Sequence, residues 1–436
     1  MIKGNLKAIS KSTLTSLLYQ FISPWTVLYF GDISIYRSWI LLVSFGSFVA
    51  IFDLGFGDAL ANTYILKEKK NSFQKYFSSL ARSYLLFIVI TGFLYTNFLI
   101  LFIKHYFPYL FDVNHLLCLL LLIGINLIYS IQNISYAYLR VNDQYVKFQN
   151  LITKQKILEL IAFVISFYTY RSILYATIAL FTCRVFTGIR ILIVIPKDHL
   201  LGIFKKLHDS KLLDLKSVFA GNFLSSISNY LRNQGLLILL GKEISSQMFL
   251  YYSLTRTMLS GVRQILDMLI AGIQPLITKS VSSNSQSEMS KILTTFMTIY
   301  YSVLFLLISG FFVFSHQIFK FYTGSLQFPG YVFIGLMCLL VIGESALYFM
   351  IGSIYATNKQ FRITLIHCFF SFVLLLIPMC LNSLFTLNQI VLTISVFNFV
   401  LFFVYINQFD YIFTISFFSI FRSSCKNLKA KLIENL

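Results

Sequence analysis

Apolar runs long enough to cross a bilayer recur along the whole chain, separated by short polar connections. A hydrocarbon core of roughly 30 Å takes about 20 helical residues. Runs of that size fall at 12–31, 38–60, 77–103, 115–139, 148–169, 173–195, 218–240, 246–277, 289–315, 330–355, 361–382 and 387–408. The pattern predicts an all-α integral membrane protein of about 12 transmembrane helices, with no soluble domain between them.

The longest internal connection, PKDHLLGIFKKLHDSKLLDLKSVF from Pro196, separates the sixth and seventh runs. It divides the chain into an N-terminal six-helix lobe (1–195), a cytoplasmic amphipathic linker (196–217), a C-terminal six-helix lobe (218–408) and a basic cytoplasmic tail (409–436). Leu201, Phe204 and Leu207 with their interspersed lysines read as a helix on the membrane surface, and the tail reads the same way. Both are expected to act as anchors, with attraction of anionic lipid as the alternative.

Polar positions inside the runs are few and periodic. In the eighth run Arg256, Ser260, Arg263, Asp267 and Gln274 follow steps of 4, 3, 4 and 7, which stacks them on one helix face. The seventh carries Asn222, Ser225, Asn229 and Arg232, the fourth Asn126, Ser130, Asn133 and Arg140, and the first Ser12, Ser16, Tyr19 and Ser23. Four helices thus carry stripes that suit the walls of a water-filled cavity, with interhelical hydrogen bonding as the competing reading.

Composition agrees with the pattern: 57% of the 436 residues are hydrophobic and 12% charged, against about 25% charged in soluble domains. The mean hydropathy is +0.77. The net charge of +19 comes from basic residues spread over short loops, which argues for membrane orientation and against nucleic acid. With a cytoplasmic N-terminus, 25 of the 35 Lys and Arg fall on the cytoplasmic side. Only Arg37, Lys104, Arg171, Lys242 and Lys320 fall on the other, so both termini are expected inside. The basic N-terminus lacks a small-residue cleavage site after its first apolar run and reads as a retained helix. The six cysteines have neither metal-like nor disulfide-like spacing and read as small core residues.

The five arginines inside runs are Arg184, Arg190, Arg232, Arg256 and Arg263. Arg190 lies near the cytoplasmic end of its run and snorkels, whereas Arg184 is deeper, facing either cavity or lipid. Arg232, Arg256 and Arg263, with Asn229, are the candidate substrate-binding residues. They exceed their nearest local acid, Asp267, and the planar guanidinium fork suits phosphate oxygens. Glu159 and Glu344 are candidates for ion coupling, or else partners of an arginine.

The second run ends in FDLGFGDALAN, residues 52–62. On one helix Asp53 and Asp58 stand about 140° apart, so they serve different purposes. Asp58 reaches the hydrated boundary. Asp53, with Gly55 and Gly57, reads as a gate element together with Asp267, and its depth matches that of Arg263, a candidate contact.

SPWTVLYFGDISIYRSW followed by DLGFG, with Pro24, Gly31, Asp53, Gly55 and Gly57, resembles the Wzx-type O-antigen and polysaccharide flippases of the multidrug/oligosaccharidyl-lipid/polysaccharide exporter superfamily. The resemblance extends over the whole chain in length, span number and midpoint linker. It implies two pseudo-symmetric lobes around a central cavity open alternately to each side of a bacterial inner membrane. It also implies movement of an undecaprenyl-diphosphate-linked oligosaccharide, an O-antigen or capsular repeat unit, from the cytoplasmic to the periplasmic leaflet. Membrane lipids, and the polymerase and chain-length proteins of the same pathway, are the further partners it suggests. No cofactor, metal or catalytic residue is expected. The alternatives are a drug or metabolite antiporter of the same superfamily, favoured by acidic residues without an arginine surplus, and a membrane polysaccharide polymerase or ligase. An enzyme of that kind should carry a large external loop. The longest here is KHYFPYLFDVNH, whose His105, Asp112 and His115 read as interfacial loop residues rather than acid–base or metal groups.

Overall fold

The computed structural model describes residues 2–53, 55–57, 60, 70–196, 216–282, 285–324, 328–355, 357, 361–381 and 386–434. Among these there is no strand, and each of the expected spans has its own long helix. They are α1 (Ile2–Phe30), α2 (Ile33–Ser47, continued by a 3-10 turn Phe48–Asp53), α3 (Lys70–Tyr106), α4 (Val113–Val141), α5 (Tyr145–Tyr170) and α6 (Ile173–Leu192). After the linker come α7 (Lys216–Tyr230, a π turn Leu231–Gly235, then Leu236–Glu243), α8 (Ser246–Ser282), α9 (Gln286–Thr323), α10 (Tyr331–Tyr355), α11 (Phe361–Leu381) and α12 (Leu387–Phe413). A further helix, α13 (Phe417–Glu434), ends the described chain. The surface-helix reading of the linker and the boundary reading of Asp58 lie outside the described residues.

Seven of these segments are long and apolar enough to cross a membrane by composition alone, within α2 with its 3-10 turn, α3, α4, α6, α9, α10 and α12. The protein is therefore a multi-pass membrane protein. Their outward faces carry large apolar side chains, such as Phe93, Phe98 and Leu101 on α3 and Phe305, Leu306 and Val313 on α9, all exposed as lipid-facing residues must be.

The chain divides into two compact units, Met1–Ser253 with His367–Leu375, and Leu254–Ile366 with Leu376–Leu436. In the first, α1 packs along α5, α4 along α6, α5 along α6, and α2 and α3 against α4. In the second, α10 packs along α12 and α13 lies on α9, where Ser424 Oγ donates to the Thr294 carbonyl at 3.0 Å.

Helix ends follow local chemistry. Asp32 caps α2 by accepting from the Ile35 amide at 2.7 Å, and Asp112 caps α4 by accepting from the His115 amide at 2.6 Å. That cap, with His115 Nδ1 at 2.9 Å from the same carboxylate, accounts for the Asp112 and His115 pattern. The start of α2, the end of α3 and the end of α7 meet at one end of the first unit. Arg37 donates to the Gly241 carbonyl and to Ser246 Oγ at 2.8 Å, and Lys242 lies 5.1 Å above the Tyr106 ring. Helices that alternate direction bring these ends together, and they carry three of the five basic residues of the sparse side.

The second span is not one α-helix to residue 60. It tightens into the 3-10 turn at Phe48–Asp53 and turns at Gly55, whose φ is +57°. Angles and depths counted along a continuous helix therefore do not apply beyond Ser47.

Candidate functional site

The buried polar residues of the first unit converge on α1, α4, α5 and α6. Glu159 on α5 is 4% exposed. Its Oε2 accepts a hydrogen bond from Arg184 Nη2 of α6 at 2.8 Å; its Oε1 accepts from Gln155 Nε2 at 3.0 Å and lies in ionic contact with Arg184 Nε at 2.6 Å. The guanidinium also lies 5.7 Å from the Tyr129 ring centroid. Lys156 Nζ, one residue from Gln155, donates to Ser16 Oγ on α1. Between these groups is a cavity of about 180 Å³ lined by Asn126, Tyr129, Ile152, Gln155, Lys156 and Arg184.

Lys156 stands 11 residues into α5, about 16 Å along its axis. The charge count assigns Lys156 to the cytoplasmic side although it lies inside the expected span 148–169; the structure places it well within α5, away from either helix end. The stripes on the first and fourth spans contribute Ser16 and Asn126 to this cluster. Arg184 faces the cavity, not lipid. Two cations here share one carboxylate.

The second unit arranges its charges along α8 and α10. Arg256 Nη2 lies 3.4 Å from Glu344 Oε1, both side chains under 10% exposed. One face further along α8, Arg263 lies 3.8 Å from Asp267, its guanidinium 3.6 Å above the ring of Tyr348, and Gln274 donates to the Gly352 carbonyl at 3.3 Å. The contacts climb both helices in the same order, so α8 and α10 run parallel, as two even-numbered spans must. Glu344 is an arginine's partner, one of its two expected readings: with Asp267 it balances Arg256 and Arg263 one for one.

The remaining candidates have other partners within the first unit. Arg232, in the π turn of α7, is 1% exposed with Nη1 at 3.4 Å from His367 Nε2. Asn229 Nδ2 lies 3.5 Å from Ser225 Oγ. Asp53 accepts from the Tyr84 phenol, and Phe56 stacks on that ring at 4.0 Å. Gly55 and Gly57 are required by close approach: a Cβ would meet Asn222 of α7 at 2.8 Å at the first and Tyr136 of α4 at 2.5 Å at the second. DLGFG is thus a packing motif that seats the end of the second span against α3, α4 and α7. Among the described residues no group of three His, Cys, Asp or Glu could hold a metal ion.

Lys156, His367 and the pairing of Glu159 with Arg184 were not singled out from sequence. One signal was present: Glu159 and Arg184 stand twelve residues either side of the Arg171–Ser172 turn, and in an antiparallel hairpin equidistant residues share a depth.

No protein-family model and no curated protein matches the chain. Its fold is nevertheless that of several solved transporters. A MATE transporter in complex with MaL6 superposes with a TM-score of 0.69 at 13% identity, covering 94% of this chain and 96% of that one. A MOP superfamily transporter from Pyrococcus furiosus, for which reverse polarity of the binding pocket suggests a different function, superposes at 0.69 with 13% identity over 95% of each chain. The outward-facing conformation of a multidrug resistance MATE transporter superposes at 0.67 with 14% identity, covering 94% and 96%. The chain is thus a multi-pass membrane protein with the all-helical fold of MOP superfamily transporters.

Proposed function

We propose that the protein is an alternating-access transporter of the bacterial inner membrane that moves an anionic, lipid-linked oligosaccharide, of the undecaprenyl-diphosphate type, to the outer leaflet. The observation that carries this reading is the excess of cations around the cavity: among the described residues, Lys156 and Arg184 against Glu159. A carboxylate-lined pocket would select cations. An excess ammonium beside a guanidinium attracts phosphate oxygens instead.

The cavity, about 180 Å³, has room for a phosphate or diphosphate group. Arg232 and Asn229 are further substrate contacts in this proposal, whereas Arg256 and Arg263, expected as contacts from sequence, are each paired with an acid and lie outside the anion site. Asp53, Asp267, Gly55 and Gly57 act in gating. Glu159 and Glu344, each held by an arginine, couple an ion when a proton or cation competes with that arginine. Both termini are placed in the cytoplasm.

A second reading, a drug antiporter, draws on the same fold, since multidrug MATE transporters share it. The two separate on charge preference. In a strain lacking its own flippase, alanine replacements of Lys156, Arg184, Arg232, Arg256 and Arg263 are scored for surface polysaccharide. The flippase reading expects wild-type chain to restore it and Lys156→Ala and Arg184→Ala to fail at normal protein levels. Failure of the wild-type chain, with gain of resistance to cationic drugs, supports the antiporter.

A further inference from the structure

Arg232, a further substrate contact in the transport reading, also forms a buried contact with His367, to which that reading gives no role. Both side chains are almost fully enclosed, at 1% and 2% exposure. Arg232 sits in the five-residue π turn Leu231–Gly235, which interrupts α7. Such turns widen the backbone and recur where a helix has a functional task. The turn is held from two sides. On one, Tyr230 Oη donates to the Ser44 carbonyl of α2 at 2.7 Å and Ser44 Oγ donates to Gln234 at 2.8 Å. On the other, Arg232 reaches His367 of α11 at 3.4 Å, and Gly235 comes so close to Leu375 of α11 that a Cβ would stand 3.1 Å from it.

The chemistry of this second side fixes a protonation state. A guanidinium has only donors, so Nε2 of His367 must accept and therefore carries no proton. Any proton on the neutral ring is on Nδ1. A proton added to Nε2 takes the lone pair that accepts from Arg232, and places an imidazolium against a guanidinium inside the protein. Both effects oppose the contact, and like charges that close repel strongly away from water. From α7, Arg232 reaches His367 itself and Ser228 meets its neighbour Cys368.

We propose that His367 is a proton-binding site and that its neutral form latches the π turn of α7 to α11 through Arg232. Protonation releases the latch and frees the turn. The middle of α11, His367–Leu375, belongs to the first unit and its two ends to the second. A proton at His367 therefore acts on a helix shared by both units. The proposal is independent of what the protein transports.

Deuterium uptake of peptides covering residues 228–236 tests it, on the full chain in nanodiscs. Uptake is compared at about pH 5 and about pH 8, which bracket the histidine range, after normalising for the chemical exchange rate. Wild type is expected to exchange roughly fivefold or more faster at the lower pH. His367→Gln, which keeps an acceptor and cannot be charged, should remove the pH dependence. Arg232→Gln, which removes the like charge, should do so as well and serves where the first variant does not fold. A pH-independent wild type, or an unchanged pH response in either folded variant, overturns the proposal.

Discussion

In the first unit Lys156 and Arg184 share a single carboxylate beside a cavity, whereas in the second Arg256 and Arg263 each have an acid of their own. The pairs of the second unit neutralise charge, and that of Arg256 with Glu344 ties α8 to α10. Among the described residues the cluster of the first leaves one positive charge over, within α5, with room beside it. An isolated ion inside a bilayer is costly, and Lys156 is held there by one hydroxyl, Ser16. The difference separates arginines that each have an acid from a cluster with more cations than acids, and it is why the proposed function puts the anion at α5 and α6 rather than at the arginines of α8.

Arg184→Ala should have the largest effect on stability. It leaves Glu159 buried and without its arginine, and breaking a buried pair costs about 3–5 kcal/mol. Denaturant unfolding of the full chain in detergent measures it, and a loss below about 1 kcal/mol would place the pair in contact with water. Arg256→Ala should cost somewhat less, since its contact with Glu344 is monodentate at 3.4 Å. The double variant with Glu344→Gln should recover part of the loss, with a coupling energy of about 0.5–3 kcal/mol in a double-mutant cycle.

Gly57→Ala tests the packing of DLGFG. Its methyl would stand 2.5 Å from Tyr136, so overpacking should cost about 1–3 kcal/mol, whereas Gly310→Ala, with open space around it, should cost nothing measurable. Asp267→Asn should be the mildest. Its side chain is 49% exposed and 3.8 Å from Arg263, so the change should stay under about 1 kcal/mol. A larger loss would show that this pair, too, is structurally essential.

The spans were legible in the sequence because bilayer thickness sets helix length regardless of what the helix packs against. The helices that fall short of an apolar span by composition, α1, α5, α7, α8 and α11, are the ones that carry Ser16, Lys156, Glu159, Arg232, Arg256, Arg263 and His367. Their polarity is itself the mark of the clusters. Periodicity found the stripe on α8 because its residues recur on one face. It did not find Glu159 and Arg184, which stand singly on two helices and gain meaning only across the hairpin. Lys156 was passed over because its charge was counted with the cytoplasmic side although it lay inside the expected fifth span, and the π turn at Arg232 has no sequence signal in an otherwise regular run.

The central claim is that the cavity in the first unit binds an anion through Lys156 and Arg184. Calorimetric titration of inorganic pyrophosphate into the full chain in nanodiscs tests it most directly, comparing wild type with Lys156→Gln and Arg256→Gln. A charge-assisted hydrogen bond contributes about 1.5–3 kcal/mol, so Lys156→Gln should weaken binding by roughly tenfold or more while Arg256→Gln binds as wild type does. Equal affinity of wild type and Lys156→Gln, or no binding to wild type at all, would contradict the account.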